Sequence, residues 1–225
     1  VNEIITDIPV DIKAENVLKA LRLKVAQPRL EQMARDLLAE TLPLARPKAI
    51  FTVCYIDKKG DDTVEVEGQI FRSRVLRKNL ENAERVFPYI ATCGTELYQY
   101  EAGTDALRNL CLDAIRTLTV GAAMNYVFNR LKSRYALGRT AHMNPGSLAD
   151  WPITEQRPLF ALFHGEEKQT GVELTAGCMM RPMKSVSGLV YPTESRFESC
   201  QLCPRQDCPG RRAPYSAELV RQYGI

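Results

Sequence analysis

The segment from Asp105 to about Tyr135 constrains the fold of this chain more than any other. Leu107, Cys111, Ile115, Leu118, Ala122 and Tyr126 recur there every three or four residues, the spacing of one buried stripe on a long helix. Gly121, Ala122 and Ala123 are small enough to admit another backbone at close range, and Gly138 is the expected stop.

Shorter patterns surround it. Asn16 to Leu23 places Val17, Leu18, Ala20 and Leu21 at helical spacing. A second helix is expected to begin near Pro28, where a missing N–H leaves nothing unpaired, with Leu30, Met33, Leu37 and Leu38 as its stripe. Ala49 to Ile56 is rich in β-branched and aromatic residues, Lys59-Gly60-Asp61 marks a turn, and Thr63 to Glu67 alternates with period two. These predict a hairpin or adjacent strands. Gln69 to Leu76 is expected to be another strand, Asn79 to Arg85 a short helix, and Val86 to Thr92 a strand ending at Cys93-Gly94. In the second half, Thr154 is expected to cap a helix from Glu155 to His164. Val172 to Leu174 and Ser185 to Tyr191 predict strands, and Ser216 to Tyr223 a short helix. Helices and strands mix without regular βαβ alternation, which implies an α+β fold, mainly an antiparallel sheet with flanking helices. Residues 1–225 are read as a single domain, with 196–225 a Cys-rich C-terminal tail.

Bulk properties exclude several classes of function. A formal charge of +3 with no dense Lys/Arg block argues against a nucleic-acid partner. No apolar run approaches the ~20 residues that span a bilayer, so no membrane partner is expected. The first residues lack the layout of a signal peptide, and seven cysteines fit a reducing compartment, so the protein is expected in the cytoplasm.

The tail carries the most specific chemical signal. Cys200-x-x-Cys203 places two thiols on one side of a tight knuckle, and Cys208, with Pro204 and Pro209 stiffening the loop, can close on the same centre. Cys178 is the candidate fourth ligand. Such a set suits zinc or a 4Fe–4S cluster, with Arg205, Arg211 and Arg212 offsetting thiolate charge. Cys54 and Cys111, in apolar segments, are expected to behave as small buried hydrophobes. Trp151, before a proline, is expected to be a packing anchor, and Asp150 either offers a carboxylate or starts a turn.

Four stretches together resemble the activation (reactivation) domain of cobalamin-dependent methionine synthase, in its stand-alone form. They are Ile90 to Leu97, Leu112 to Ile115, Asn144 to Ser147 with Asp150 to Gln156, and Gly171 to Thr175 with Met180 to Gly188. The similarity spans roughly Phe87 to Tyr191. It implies a partner of a separate corrinoid protein or of a methionine synthase core. In that family a stranded Co(II) is returned to service by reduction coupled to methyl transfer from S-adenosylmethionine. Cobalt is the nucleophile, so the domain needs no catalytic side chain of its own; it binds the donor and holds it over the corrin. Cobalamin would come with the partner, and an electron from a reductant such as flavodoxin or ferredoxin.

The family's Arg-x-x-x-Gly-Tyr donor motif falls here on His142-Met143-Asn144-Pro145-Gly146-Ser147, with histidine for arginine and serine for tyrosine. A second register, Arg134-x-x-x-Gly138-Arg139, keeps an arginine but loses the Pro-Gly context. The resemblance therefore implies donor contacts from His142, Pro145, Gly146 and Ser147, with Arg139 available to replace the missing guanidinium. Asn125 stands where the family carries a helix glutamate, and Tyr191 near another aromatic contact. The bland reading of His142 is a loop histidine. Two rival functions stay open: an iron–sulfur electron-transfer activator, and a non-catalytic scaffold for a corrinoid protein.

Overall fold

The computed structural model describes residues 1–22, 28–208 and 210–225. Strand β1 (Glu3–Ile5) leads to helices α1 (Ala14–Leu21) and α2 (Pro28–Thr41). Strands β2 (Lys48–Phe51), β3 (Cys54–Lys59), β4 (Thr63–Val66) and β5 (Gln69–Arg72) follow, then α3 (Arg74–Asn79) and β6 (Arg85–Thr92). Helix α4 (Thr95–Gln99) precedes the long α5 (Ala106–Tyr135). The second half contributes β7 (Thr140–Met143), α6 (Gln156–Ala161), β8 (Glu173–Leu174), β9 (Met180–Arg181), β10 (Ser185–Pro192) and α7 (Ala217–Tyr223). The architecture is the expected α+β one, an antiparallel sheet with flanking helices.

Strand β6 is the spine of the sheet. One edge pairs with β2 and β3 in turn, which carry β1 on one side and the β4–β5 meander on the other. The other edge pairs with β10, which in turn pairs with β7. The expected single strand from Ala49 to Ile56 is split at Thr52-Val53. The register nonetheless runs through the break, Phe51 opposite Tyr89 and Cys54 opposite Val86. Pro88 faces the gap and has no N–H to continue the ladder; its carbonyl still accepts from Thr52 N–H at 3.1 Å.

Helix α5 lies across β2, β6 and β10. Its buried residues are Cys111, Leu112, Ala114, Ile115, Thr119, Ala123, Val127 and Leu131. Thr119, Ala123 and Val127 replace the expected Leu118, Ala122 and Tyr126, because the contact line steps by four along this face, and Leu107 stands 47% exposed. A Cβ at Gly121 would meet nothing within 4 Å, so close approach comes from Ala123 instead. The helix begins at Asp105, whose carboxylate accepts from Leu107 and Arg108 N–H at 2.8 and 3.2 Å, and ends at Ala136 in the left-handed region rather than at Gly138.

Beneath α5, Ala123, Val127 and Leu131 pack on Phe51, Phe87, Tyr89 and Val190. The opposite sheet face carries Ile50, Val86, Ile90, Leu189 and Tyr191, covered by Trp151, Phe163 and residues of the C-terminal tail. Helices α1 and α2 close on the first half of α5. Of the expected stripes, Val17, Leu30, Leu37 and Leu38 are buried and Leu18, Leu21 and Met33 partly so, whereas Ala20 is exposed and Ala14 and Ala34 are buried instead; Leu23 lies outside the described residues. Cys54 and Cys111 are buried as expected, and burial pushes the Cys54 thiol up to about 12.

Three local expectations change. The strand from Gln69 ends at Arg72, because Ser73 caps α3 through Leu76 N–H at 2.9 Å; the helix expected over Asn79–Arg85 therefore lies earlier, and Arg85 opens β6. Asp150, within the turn closed by Trp151 N–H on Leu148 O at 3.1 Å, fastens that cap by accepting from the Ser73 hydroxyl and from Val75 N–H at 2.9 Å. The helix expected over Glu155–His164 is a 3-10 turn, Ile153–Glu155, followed by α6, with no side-chain cap from Thr154.

The revised contact line yields a direct check. Ile115→Ala should cost about 2–5 kcal/mol in denaturant unfolding, whereas Leu107→Ala should stay within about 0.5 kcal/mol. Equal costs would contradict this register of α5.

Candidate functional site

The edge where β10 meets β7 builds the site. Leu189 stands opposite Met143 and Val190 opposite His142. Gly188 makes this approach possible: a Cβ there would sit 2.4 Å from Met143 O and 2.6 Å from Asn144 Nδ2. The Asn144 amide fills that space, donating to Tyr89 Oη at 2.8 Å and to Ser187 O at 2.7 Å. His142 is thus a strand residue rather than a loop histidine. Its ring lies against Phe128 of α5, centroids 4.9 Å apart, and Phe128 stands edge-on to Tyr89 at 5.2 Å. Asn125 is exposed on α5, three residues before Phe128 and so a neighbour on the same helix surface.

Beyond β7 the chain turns sharply. Pro145 is buried, while Gly146 and Ser147 are exposed at the rim. Gly146 adopts φ +84°, and its N–H donates to Trp151 O at 2.8 Å. Trp151 is the expected packing anchor, fully buried and edge-on to Phe71 at 6.2 Å. Ser147 also lines a cavity of about 520 Å³ with Arg74, Cys203, Tyr215 and Ile225.

Two expected contacts point elsewhere. Tyr191, next to Val190 on β10, belongs to the opposite face of the sheet from His142 and is fully buried. Arg139 is exposed and donates to Glu194 O at 2.7 Å. The guanidinium that does reach His142 is Arg212, from the tail, 3.0 Å from Nε2. A guanidinium can only donate, so Nε2 is the acceptor nitrogen and the ring proton sits on Nδ1. Burial, reinforced by the Arg212 charge, lowers the His142 pKa to about 4. The ring is therefore neutral at ordinary pH.

The cysteine tail is organised differently from the expected metal knuckle. Its centre is the Arg211 guanidinium, which donates to the carbonyls of Cys200 and Ala213, both at 2.9 Å, and of Cys203 at 2.8 Å and Arg205 at 2.5 Å. Cys200 Sγ accepts from Arg212 N–H at 3.4 Å. Cys178 is buried away from this arrangement, with Arg157 Nε donating to its sulfur at 3.1 Å. Among the described residues, no three or more His, Cys, Asp or Glu side chains are grouped to hold a metal ion. The expected zinc or 4Fe–4S site on Cys178, Cys200, Cys203 and Cys208 is therefore not supported; carbonyls converging on an arginine take the place of thiolates converging on a metal.

Arg212, Phe128 and Asn144 are the site residues that sequence reasoning did not assign. Asn144 and Gly188 lay within motifs already singled out, whereas nothing in the linear sequence links Arg212 to His142.

Comparison with known proteins finds the same architecture. No family model matches the chain, and no curated protein matches it by sequence. Among solved structures, the crystal structure of the MetH reactivation domain bound to AdoHcy is similar at a TM-score of 0.63 and 16% sequence identity. The match covers 88% of this chain and 80% of that one. The fold is thus that of a methionine synthase reactivation domain. Among the described residues, no helix is long and apolar enough to cross a membrane.

The half-buried imidazole sets an acid limit on stability. Below an unfolded-state pKa of about 6.5 the unfolded chain takes up a proton that the folded site refuses. Stability should therefore fall between about pH 6.5 and pH 4, with a contribution from this group of up to about 3 kcal/mol. The His142 imidazole should titrate by NMR with a midpoint near 4, and His142→Gln should flatten the acid slope. A midpoint near 6.5 would contradict the half-buried, arginine-paired geometry.

Proposed function

We propose that this protein is the reactivation partner of a corrinoid protein or a methionine synthase core, presenting S-adenosylmethionine for reductive methylation of the partner's inactive cobalamin. The observation that carries this reading is the shared fold over 88% of the chain with a domain described as bound to AdoHcy, the product left when S-adenosylmethionine gives up its methyl group. The local geometry fits such a ligand. His142 is neutral and does not repel a sulfonium. Gly146 lets backbone approach a ligand closely, and Gly146, Ser147 and Asn125 are all exposed beside the His142 edge.

The division of labour follows from this placement. The corrinoid of the partner supplies the cobalt nucleophile, and a flavodoxin- or ferredoxin-like protein supplies the electron. Residues of this chain bind and orient the donor: the 142–147 segment from below, α5 through Asn125 from the side. A rim-exposed site suits this work, because the methyl group must be offered to a second protein. We read residues 1–225 as one domain, since Phe197, Leu202 and Tyr223 of the tail pack in the same cluster as β10. We place it in the cytoplasm, which agrees with all seven cysteines being free thiols.

The test is reconstitution. The protein should support one equivalent of methyl transfer from S-adenosylmethionine to a reduced corrinoid partner from the same organism, followed by the corrin absorption spectrum. Ser147→Trp, which crowds the rim, should slow transfer by about 10-fold or more. Cobalt remaining Co(II) with every corrinoid protein of the organism, despite a competent reductant, would refute the proposal.

A further inference from the structure

Arg212 and Glu198 form an exposed pair at the edge of the candidate site, and Glu198 also caps the 3-10 turn Ser199–Gln201 in a capping box with Gln201. Arg212 Nη2 lies 3.1 Å from Glu198 Oε2, and their side chains are 43% and 39% exposed. An ion pair this open contributes little to stability. Yet Arg212 is held with care. The tail is wound around the adjacent Arg211, the Arg212 N–H is fixed on Cys200 Sγ, and its Nη1 is fixed on His142. Positioning of this kind holds a solvent-facing guanidinium and carboxylate side by side at the edge of the candidate site.

We infer that the C-terminal tail completes the donor site, with Arg212 and Glu198 forming a clamp for the zwitterionic amino-acid end of the ligand. This inference rests on the proposed donor site and names the residues that would recognise one end of its ligand. The ligand's α-carboxylate is received by the guanidinium, whose His142 and Glu198 contacts use two of five N–H donors, and its ammonium by Glu198. His142 is suited to support rather than to compete. Neutral, and accepting from Arg212, it orients the guanidinium without cancelling its charge. The Tyr89 hydroxyl, which accepts from the neighbouring Asn144 amide, is likewise uncharged, because burial raises its pKa. Arg212 and Glu198 thus offer an arriving zwitterion one charge of each sign at this edge.

Three ligands separate the contributions in calorimetric titrations of the full chain. S-adenosylmethionine has both charged groups, decarboxylated S-adenosylmethionine keeps only the ammonium, and 5′-methylthioadenosine has neither. Arg212→Ala should weaken S-adenosylmethionine by about 10–100-fold and leave the other two unchanged. Glu198→Gln should weaken the first two ligands by about 5–10-fold and spare 5′-methylthioadenosine. Circular dichroism should show both variants folded. Equal losses on all three ligands, or no loss on any, would overturn the clamp while leaving the donor site standing. Failure of the unaltered protein to bind any of the three would remove the donor site and the clamp with it.

Discussion

The packing of α5 across β2, β6 and β10 is the contact on which the rest of the molecule depends. Its far half buries Ala123, Val127 and Leu131 on the sheet, and its near half closes the helical layer through Cys111, Leu112 and Ile115. One helix therefore joins two apolar clusters and fixes where the sheet edge lies relative to the helices. That same rigid element carries Phe128 to His142 and Asn125 to the rim. A site on such a scaffold needs little of its own to stay in place.

At the sheet edge the decisive factor is the missing side chain at Gly188. It lets β7 and the Asn144 amide close on β10, burying the amide against Tyr89 and Ser187. The resulting desolvation keeps His142 neutral, and a neutral imidazole accepts from Arg212 where an imidazolium would repel it. Packing, protonation state and the docking of the tail are thus one chain of causes. The tail is built on the same economy. An arginine gathering four carbonyls stabilises a Pro- and Cys-rich loop that, among the described residues between β10 and α7, has one short 3-10 turn as its only helical or strand element.

Much of this was legible in the linear sequence wherever a signal is local. The existence of α5, the first two helices, the β3–β4 hairpin and the strands ending in Thr92 and Tyr191 all follow from periodicity. Errors arose where a tertiary partner decides. The C-terminal half of the α5 stripe moved by one residue because the sheet, not the sequence, sets which side faces in. Ser73 looked like a strand residue until Asp150, 77 positions away, fastened it as a cap. In the candidate site, the motif around His142 to Ser147 falls at the β7–β10 edge, and the fold likeness agrees with the family it suggested. Arg212 was read as balancing thiolate charge. Its contact with His142 spans 70 residues, and no local pattern encodes it. The cysteine spacing suggested a metal, but Arg211 shows that the same loop can be organised from its backbone carbonyls.

The central claim is that the donor lies along the β7–β10 edge, beside α5. A crystal structure with S-adenosylhomocysteine at saturating concentration tests it most directly. The account predicts ligand density against His142, Asn144 and Gly146, within reach of Asn125 and the tail. Density confined instead to the cavity between Arg74 and Tyr215, or an edge left empty at saturation, would contradict it.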